Sequence, residues 1–238
     1  DQPRSRGLGD VYKRQEFLKN TISDISHQLK TPLSALMMYQ EIIENEPENF
    51  ETVKEFSLKI GTALKRMEQL IQSMLKITRI DAGSISFEKS NYSIPNIINH
   101  AISELTTRAD NEKKEIVIDG DLEQMLYCDI EWTGEAIGNI IKNALDHTDI
   151  GGKISISWEQ TPAMIRIFIT DNGHGISQED IHHIFKRFYR SKNTSESQGI
   201  GLGLPLAKAI VEGQGGILSV QSELLQGTTF TLSFLTES

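Results

Sequence analysis

One cysteine, Cys128, stands in the 238 residues, which excludes an internal disulfide and any metal site built on paired cysteines. It closes the apolar run Met125-Leu126-Tyr127-Cys128 and reads as a buried strand residue in a reducing compartment. No stretch approaches the ~18 consecutive apolar residues that span a bilayer, and no apolar signal core lies near the start. Basic side chains are outnumbered, 24 Lys and Arg against 33 Asp and Glu for a net charge of −9, and they form no stripe; nucleic acid is not an expected partner. Internal repeats and low-complexity segments are absent too. What is present, 38% hydrophobic and 24% charged residues, is the composition of a globular protein with room for one large domain or two modest ones.

Residues 1–15 are polar, carry two glycines and four basic side chains and show no period. They are expected to be a disordered or non-native leader. From 16 to 80 the pattern is that of two long helices. Ile22, Ile25, Leu29, Leu36, Tyr39 and Ile43 fall on three- and four-residue steps. Val53, Phe56, Ile60, Ala63, Met67, Leu70, Met74 and Ile77 keep a heptad for about four repeats. Asn45-Glu46-Pro47-Glu48-Asn49 supplies the breaker and capping chemistry of a hairpin loop. One hairpin cannot bury both seams well, whereas two pair into a four-helix bundle, so a homodimer through the hairpin is expected.

Residues 81–92 are expected to be a linker and 93–236 a second domain. There, 94–112 has a helical period, and Glu115–Ile118 and Gln124–Cys128 read as strands. Asp129 caps a helix running to about His147. Gly151-Gly152 turns the chain into strands Lys153–Glu159 and Met164–Thr170. A helix from about Leu204 to Gln214 ends at Gly215-Gly216, and strands at 217–222 and 228–234 follow. The expected fold class is α+β: an antiparallel helical hairpin, then an α/β sandwich with a mixed sheet and helices on one face.

His27 lies two residues beyond seam position 25, on the outermost face of the first helix, where packing does not need it. Pro32 stands inside this strongly periodic helix at a cost of about 3 kcal/mol and removes the hydrogen bond to the carbonyl of Gln28. A costly residue near an exposed nucleophile points to a local shape kept for function. The remaining histidines suggest less: His147 a helix C-terminus, His174 a loop, His100, His182 and His183 the surface.

In the second block Asn139 and Asn143 share a helix face, bordered by Ile140, Ile141, Ala144 and Leu145. Carboxamide oxygens there suit Mg²⁺ without repelling phosphates, and Glu135, one turn back, suits a metal-bound water. Asp171-Asn172-Gly173-His174-Gly175 follows a strand. In Phe185-Lys186-Arg187-Phe188-Tyr189-Arg190 the aromatics read equally as core, while the guanidinium groups of Arg187 and Arg190 suit phosphate. Ser191 to Gln198 is polar, as a mobile lid is. Gly199-Ile200-Gly201-Leu202-Gly203-Leu204 opens a helix, where N–H groups freed of side chains make an anion site. It lacks the strand of a dinucleotide fold and the lysine of a P-loop.

Ser26-His27-Gln28-Leu29-Lys30-Thr31-Pro32-Leu33 resembles the H-box of sensor histidine kinases of two-component systems at nearly every position. The asparagine helix resembles their N-box, and Asp171–Gly175 the G1 box. The 185–190 run resembles the F-box, 199–204 the G2 box, and Gln226-Gly227-Thr228-Thr229-Phe230 the last glycine box. They follow the family's order and together cover 16–236.

The resemblance implies an ATP-dependent protein-histidine kinase with a Bergerat-type ATP-binding domain. His27 would be phosphorylated from Mg·ATP and the group passed to an aspartate of a response regulator receiver domain, with Thr31 orienting a water for phosphatase action. Asp171 would accept a hydrogen bond from the adenine amine, and Gly173 and Gly175 would admit the ring. Asn139, Lys142, Asn143, Arg187, Arg190, Gly199, Gly201, Gly203, Leu204 and Thr228 would complete the nucleotide site. Asn143, and Glu135 through water, would hold Mg²⁺. A cytoplasmic location and a membrane-anchored parent follow, with 1–15 then juxtamembrane or a cloning scar.

Two positions depart from the family. Gln28 replaces an acid that takes the imidazole proton, and Asp146 replaces a phosphate-contacting lysine. They leave open a dimeric pseudokinase that only binds a regulator. Other ATPases of the same nucleotide fold lack the hairpin and its histidine series.

Overall fold

The computed structural model describes residues 3–191 and 199–236, with side chains described from Ser23 onward, Asp24 excepted. The chain divides into two compact units, one ending at Gln72 and one beginning at Ser73.

The first unit is built on α1 (Pro3–Asn45) and α2 (Phe50–Asp81), whose last turns belong to the second unit. The backbone is helical from Pro3, so the stretch expected to stand apart as a leader is continuous with α1. Its proline occupies the first helical position, where a missing N–H costs nothing. Described seam residues, Ile25 to Ile43 on α1 and Val53 to Met67 on α2, are half-buried; Ile22 lies outside the described side chains. Tyr39 and Phe56 meet at 5.5 Å between ring centroids. At the loop, Asn49 caps α2 by accepting the N–H of Thr52 (3.3 Å), and Glu46 accepts from Asn49 (3.1 Å) and the Thr52 hydroxyl (3.0 Å). A second apolar set, Leu33, Met37, Leu58 and Leu64, remains exposed at 50–67%.

The second unit holds a mixed five-stranded sheet in the order β2 (Glu115–Asp119), β4 (Lys153–Gln160), β5 (Met164–Asp171), β7 (Gly227–Leu235), β6 (Ile217–Glu223). Only β2 and β4 run parallel; the other neighbours are antiparallel. Ile154, Ile156, Ile165, Ile167, Ile169, Phe230 and Leu232 alternate onto one buried face, as period-two strands require. Against that face lie α5 (Ile130–His147), which joins α3 (Ile94–Ile102), and α7 (Gly203–Gly213). Asp129 caps α5 by accepting the N–H of Trp132 (3.2 Å). Buried Gln214 ties the end of α7 to that cap: its Oε1 accepts the Asp129 N–H (2.8 Å) and its Nε2 donates to Thr133 (3.0 Å).

Several features differ from expectation. The helix expected over 94–112 is two, α3 and α4 (Leu105–Asn111). At their junction the Ser103 hydroxyl donates to the carbonyl of His100 (3.0 Å), a local bond that competes with the helix ladder. The expected linker 81–92 is packed on the second unit: Phe87 stands edge-on to Trp132 at 5.9 Å, and the Glu88 N–H donates to Asp129 (2.9 Å). It also begins an unforeseen strand, β1 (Ser90–Ser93), which pairs with β3 (Met125–Cys128) in a separate two-stranded sheet. One short helix, α6 (Gln178–Ile181), was not expected either.

Candidate active site

On α1 the local geometry is as the period dictates. His27, Gln28 and Thr31 are exposed, Ile25 and Leu29 half-buried. The helix runs on through Pro32.

In the second unit a cleft of about 310 Å³ opens at the end of β5, between α5 and the segment leading into α7. Asn143, Asp171, Gly175, Arg190, Gly199, Gly201, Leu204 and Thr228 line it, all of them positions expected from sequence. Asp171 lies at the end of β5, 4% exposed. Its Oδ1 accepts the Gly173 N–H at 2.9 Å. Burial pushes its carboxyl above the ordinary range, against the opposing pull of the backbone donors of Gly173 and Thr228. Thr228 shares a hydroxyl contact with Ser222 (2.9 Å).

Three glycines hold this floor in place. A Cβ on Gly173 would lie 2.1 Å from the carbonyl oxygen of His147, one on Gly175 2.0 Å from that of Glu223, and one on Gly227 2.0 Å from that of Asp171. Gly175 and Gly227 also have positive φ, which side-chain-bearing residues rarely adopt. The α7 helix starts at Gly203 with no side-chain cap, leaving first-turn N–H groups for an anion. A tight backbone cradle, a buried carboxylate and an uncapped helix start fit a nucleotide.

The other expected residues are placed elsewhere. Asn139 donates to the carbonyl of Glu135 (2.9 Å), and a Cβ on Gly203 would lie 3.1 Å from its Oδ1. Asn139, Lys142 and Glu135 line a separate groove beside α3. Glu135 pairs there with Lys76 at 2.5 Å. Arg187 pairs with Asp81. Phe185 meets core Phe230 edge-on at 6.4 Å, which favours the packing reading. Of the lid run, positions 192–198 lie outside the described residues. His147 ends α5 as expected, and burial pushes its pKa down against the opposing pull of Asp146. His183 is half-buried against Tyr189, 5.4 Å between centroids, rather than on the surface.

Sequence reasoning missed three participants. Asp180 accepts from the hydroxyls of Tyr189 and of Ser191, the latter at 2.6 Å, and its N–H donates to Ser177 at 3.1 Å. The signal was legible: Ser177-x-x-Asp180 is a helix-start pattern. Phe188 has φ +61° and its N–H donates to Gly201 (2.9 Å); no sequence signal marks a bulky residue in that region. Arg108 reaches Asp146 from α4 at 2.6 Å.

Residues 17–83 match the family model described as the His Kinase A (phospho-acceptor) domain, and residues 128–238 the one described as a histidine kinase-, DNA gyrase B- and HSP90-like ATPase. The chain belongs to the sensor histidine kinases. The chain is 29% identical over 230 residues to the sensor protein SrrB of Staphylococcus aureus strain N315, a match that covers 95% of the chain but 40% of SrrB. The chain thus spans about two fifths of the length of the curated relatives it matches. Among solved structures it resembles histidine kinase AdeS of Acinetobacter baumannii (TM-score 0.74, 20% identity, 89% of this chain and 98% of that one). It also resembles histidine kinase ThkA in complex with the response regulator protein TrrA (TM-score 0.77, 17% identity, 98% of this chain and 66% of that one). Both likenesses are of fold. No helix among the described residues is long and apolar enough to cross a membrane.

Proposed function

We propose that this chain is the catalytic core of a two-component sensor, transferring the γ-phosphoryl group of ATP to His27 and then to an aspartate of a response regulator. The observation that carries this is an exposed histidine followed by a helix-interior proline on the phosphoacceptor hairpin, in the same chain as the glycine-cradled cleft with its buried Asp171. A ring nitrogen of His27 attacks the γ-phosphorus, the bond to the β–γ bridging oxygen breaks, and ADP leaves with the electron pair. The ring proton passes to solvent, since Gln28 has no basic site.

Asp171 binds the adenine amine, and the uncapped start of α7 together with Arg190 receives phosphate. Mg²⁺, when bound, neutralises charge developing on the phosphates. Asn143 supplies a hard oxygen for it; Glu135 can take a metal water only after releasing Lys76, and Arg187 can reach phosphate only after releasing Asp81. Asn139 Oδ1 stands beside Gly203 at the start of α7, and Thr31 positions a water that hydrolyses the phospho-aspartate of the regulator.

The exposed second stripe on the hairpin, with Leu33, Met37, Leu58 and Leu64, supports a homodimer. ThkA, solved with a response regulator, supports that class of partner. The parent protein is read as membrane-anchored, with this core in the cytoplasm.

Incubation with γ-labelled ATP should give acid-labile, alkali-stable label on the wild-type chain and none on His27→Ala, with nucleotide binding intact in both. Label retained on His27→Ala would refute the assignment.

A further inference from the structure

Asp146 is a carboxylate in the wall of the cleft. It follows Asn143 by three residues, so both belong to one face of α5. A free carboxylate there opposes a polyanionic ligand, because like charges separated by several ångströms in a partly desolvated site repel appreciably. The structure does not leave it free. Its Oδ1 accepts Nη2 of Arg108 at 2.6 Å, while Arg108 Nε donates to Oε1 of Glu112, also at 2.6 Å.

The second oxygen of Glu112 is held by Lys114 at 2.6 Å, and Lys114 donates onward to the carbonyl of Leu145 on α5 at 2.7 Å. Two cations and two anions therefore alternate along one connected network. Asp146 lies in the cleft lining, and Arg108, Glu112 and Lys114 lie outside it. The planar guanidinium fixes both carboxylates at once, which an ammonium on a flexible stem does not. Arg108 rides on α4, anchored by buried Ala109, and this helix exists as a separate element because of the break at Ser103–Glu104.

We infer that Arg108 is a positioning residue of the nucleotide site: by pairing with Asp146 it cancels the carboxylate that α5 presents to the cleft beside Asn143 and draws it toward α4. The inference rests on reading the cleft as the ATP site.

The test is titration of the 238-residue chain with a trinitrophenyl-labelled ATP and Mg²⁺, comparing wild type, Arg108→Ala, Asp146→Asn and the double variant. Arg108→Ala should weaken binding about tenfold, the effect of roughly one unit charge left uncompensated at this range. Asp146→Asn should bind at least as tightly as wild type. The double variant should return to within about threefold of wild type, since removing the carboxylate removes the need for its partner. A merely structural role would not be rescued in this way. Arg108→Ala binding like wild type, or a loss that Asp146→Asn fails to restore, would overturn the inference. A wild-type chain that binds no labelled ATP would instead overturn the nucleotide reading on which it depends.

Discussion

The α-carbon of Gly173 faces the backbone carbonyl of His147 so closely that an added methyl group would stand 2.1 Å from its oxygen. Both atoms belong to backbone, so no side chain can swing aside. Gly173→Ala should lower stability by about 1–3 kcal/mol, the usual cost of overpacking, and abolish nucleotide binding by displacing the turn under Asp171. Gly61 offers the opposite case, with nothing within 4 Å of its would-be Cβ on α2. There Gly61→Ala should raise stability by about 0.5–1 kcal/mol. Urea melts of the two variants beside wild type check both signs.

Asp171→Asn separates stability from recognition. Burial raises the folded-state pKa of this carboxyl, so the folded state holds its proton more tightly than the unfolded chain does. Stability from that proton is full below the unfolded pKa and is lost as pH rises through the folded value. At neutral pH the charge is therefore a cost, and the neutral isostere should melt at a higher temperature. It should bind ATP at least tenfold more weakly, the scale of a lost charge-assisted hydrogen bond. In the wild type, nucleotide binding should weaken on acidification at a pH above the ordinary aspartate range. Calorimetric titration at several pH values measures this.

Cys128 is fully buried, and burial pushes its thiol up to about 11. Alkylation by iodoacetamide at pH 8 should run on the order of 100-fold slower in the native chain than in urea, because the thiolate is the reacting form. Mass spectrometry of timed samples gives the ratio. Rapid native labelling would contradict the burial of β3.

Gln28→Glu should speed formation of phosphohistidine roughly tenfold, less than the ~10²–10⁴-fold of a fully positioned base because an exposed carboxylate is held loosely. Because Gln28 is exposed beside His27, the change should leave the melting temperature within about 1 °C, as surface substitutions do. Initial rates with γ-labelled ATP decide it.

Much of the architecture was legible because it depends on local periods. The seams of α1 and α2, the Asn49 and Asp129 caps, and the strand alternation of β4, β5 and β7 all repeat within one or two turns of chain. Boundaries fell within a residue or two for α5, α7 and the strands. The Ser90–Ser93 strand was not legible, since its four residues are polar and owe their pairing to β3. The break between α3 and α4 turned on one hydroxyl of Ser103 choosing a carbonyl.

The residues that line the cleft were legible where glycines and an acid cluster in sequence. Lys76–Glu135, Asp81–Arg187 and Arg108–Asp146 were not, because each joins residues 38 to 106 positions apart. Single side chains announce their chemistry, but not which opposite charge will meet them.

The solitary, sealed thiol of Cys128 makes the rest of the molecule blank to sulfhydryl chemistry. A cysteine introduced by Lys30→Cys or Thr31→Cys would carry a spin label alone, without removal of any native residue elsewhere. Pulsed dipolar spectroscopy on such a singly labelled chain would yield a distance only if two copies associate, and the width of that distance distribution would report how rigidly they hold each other.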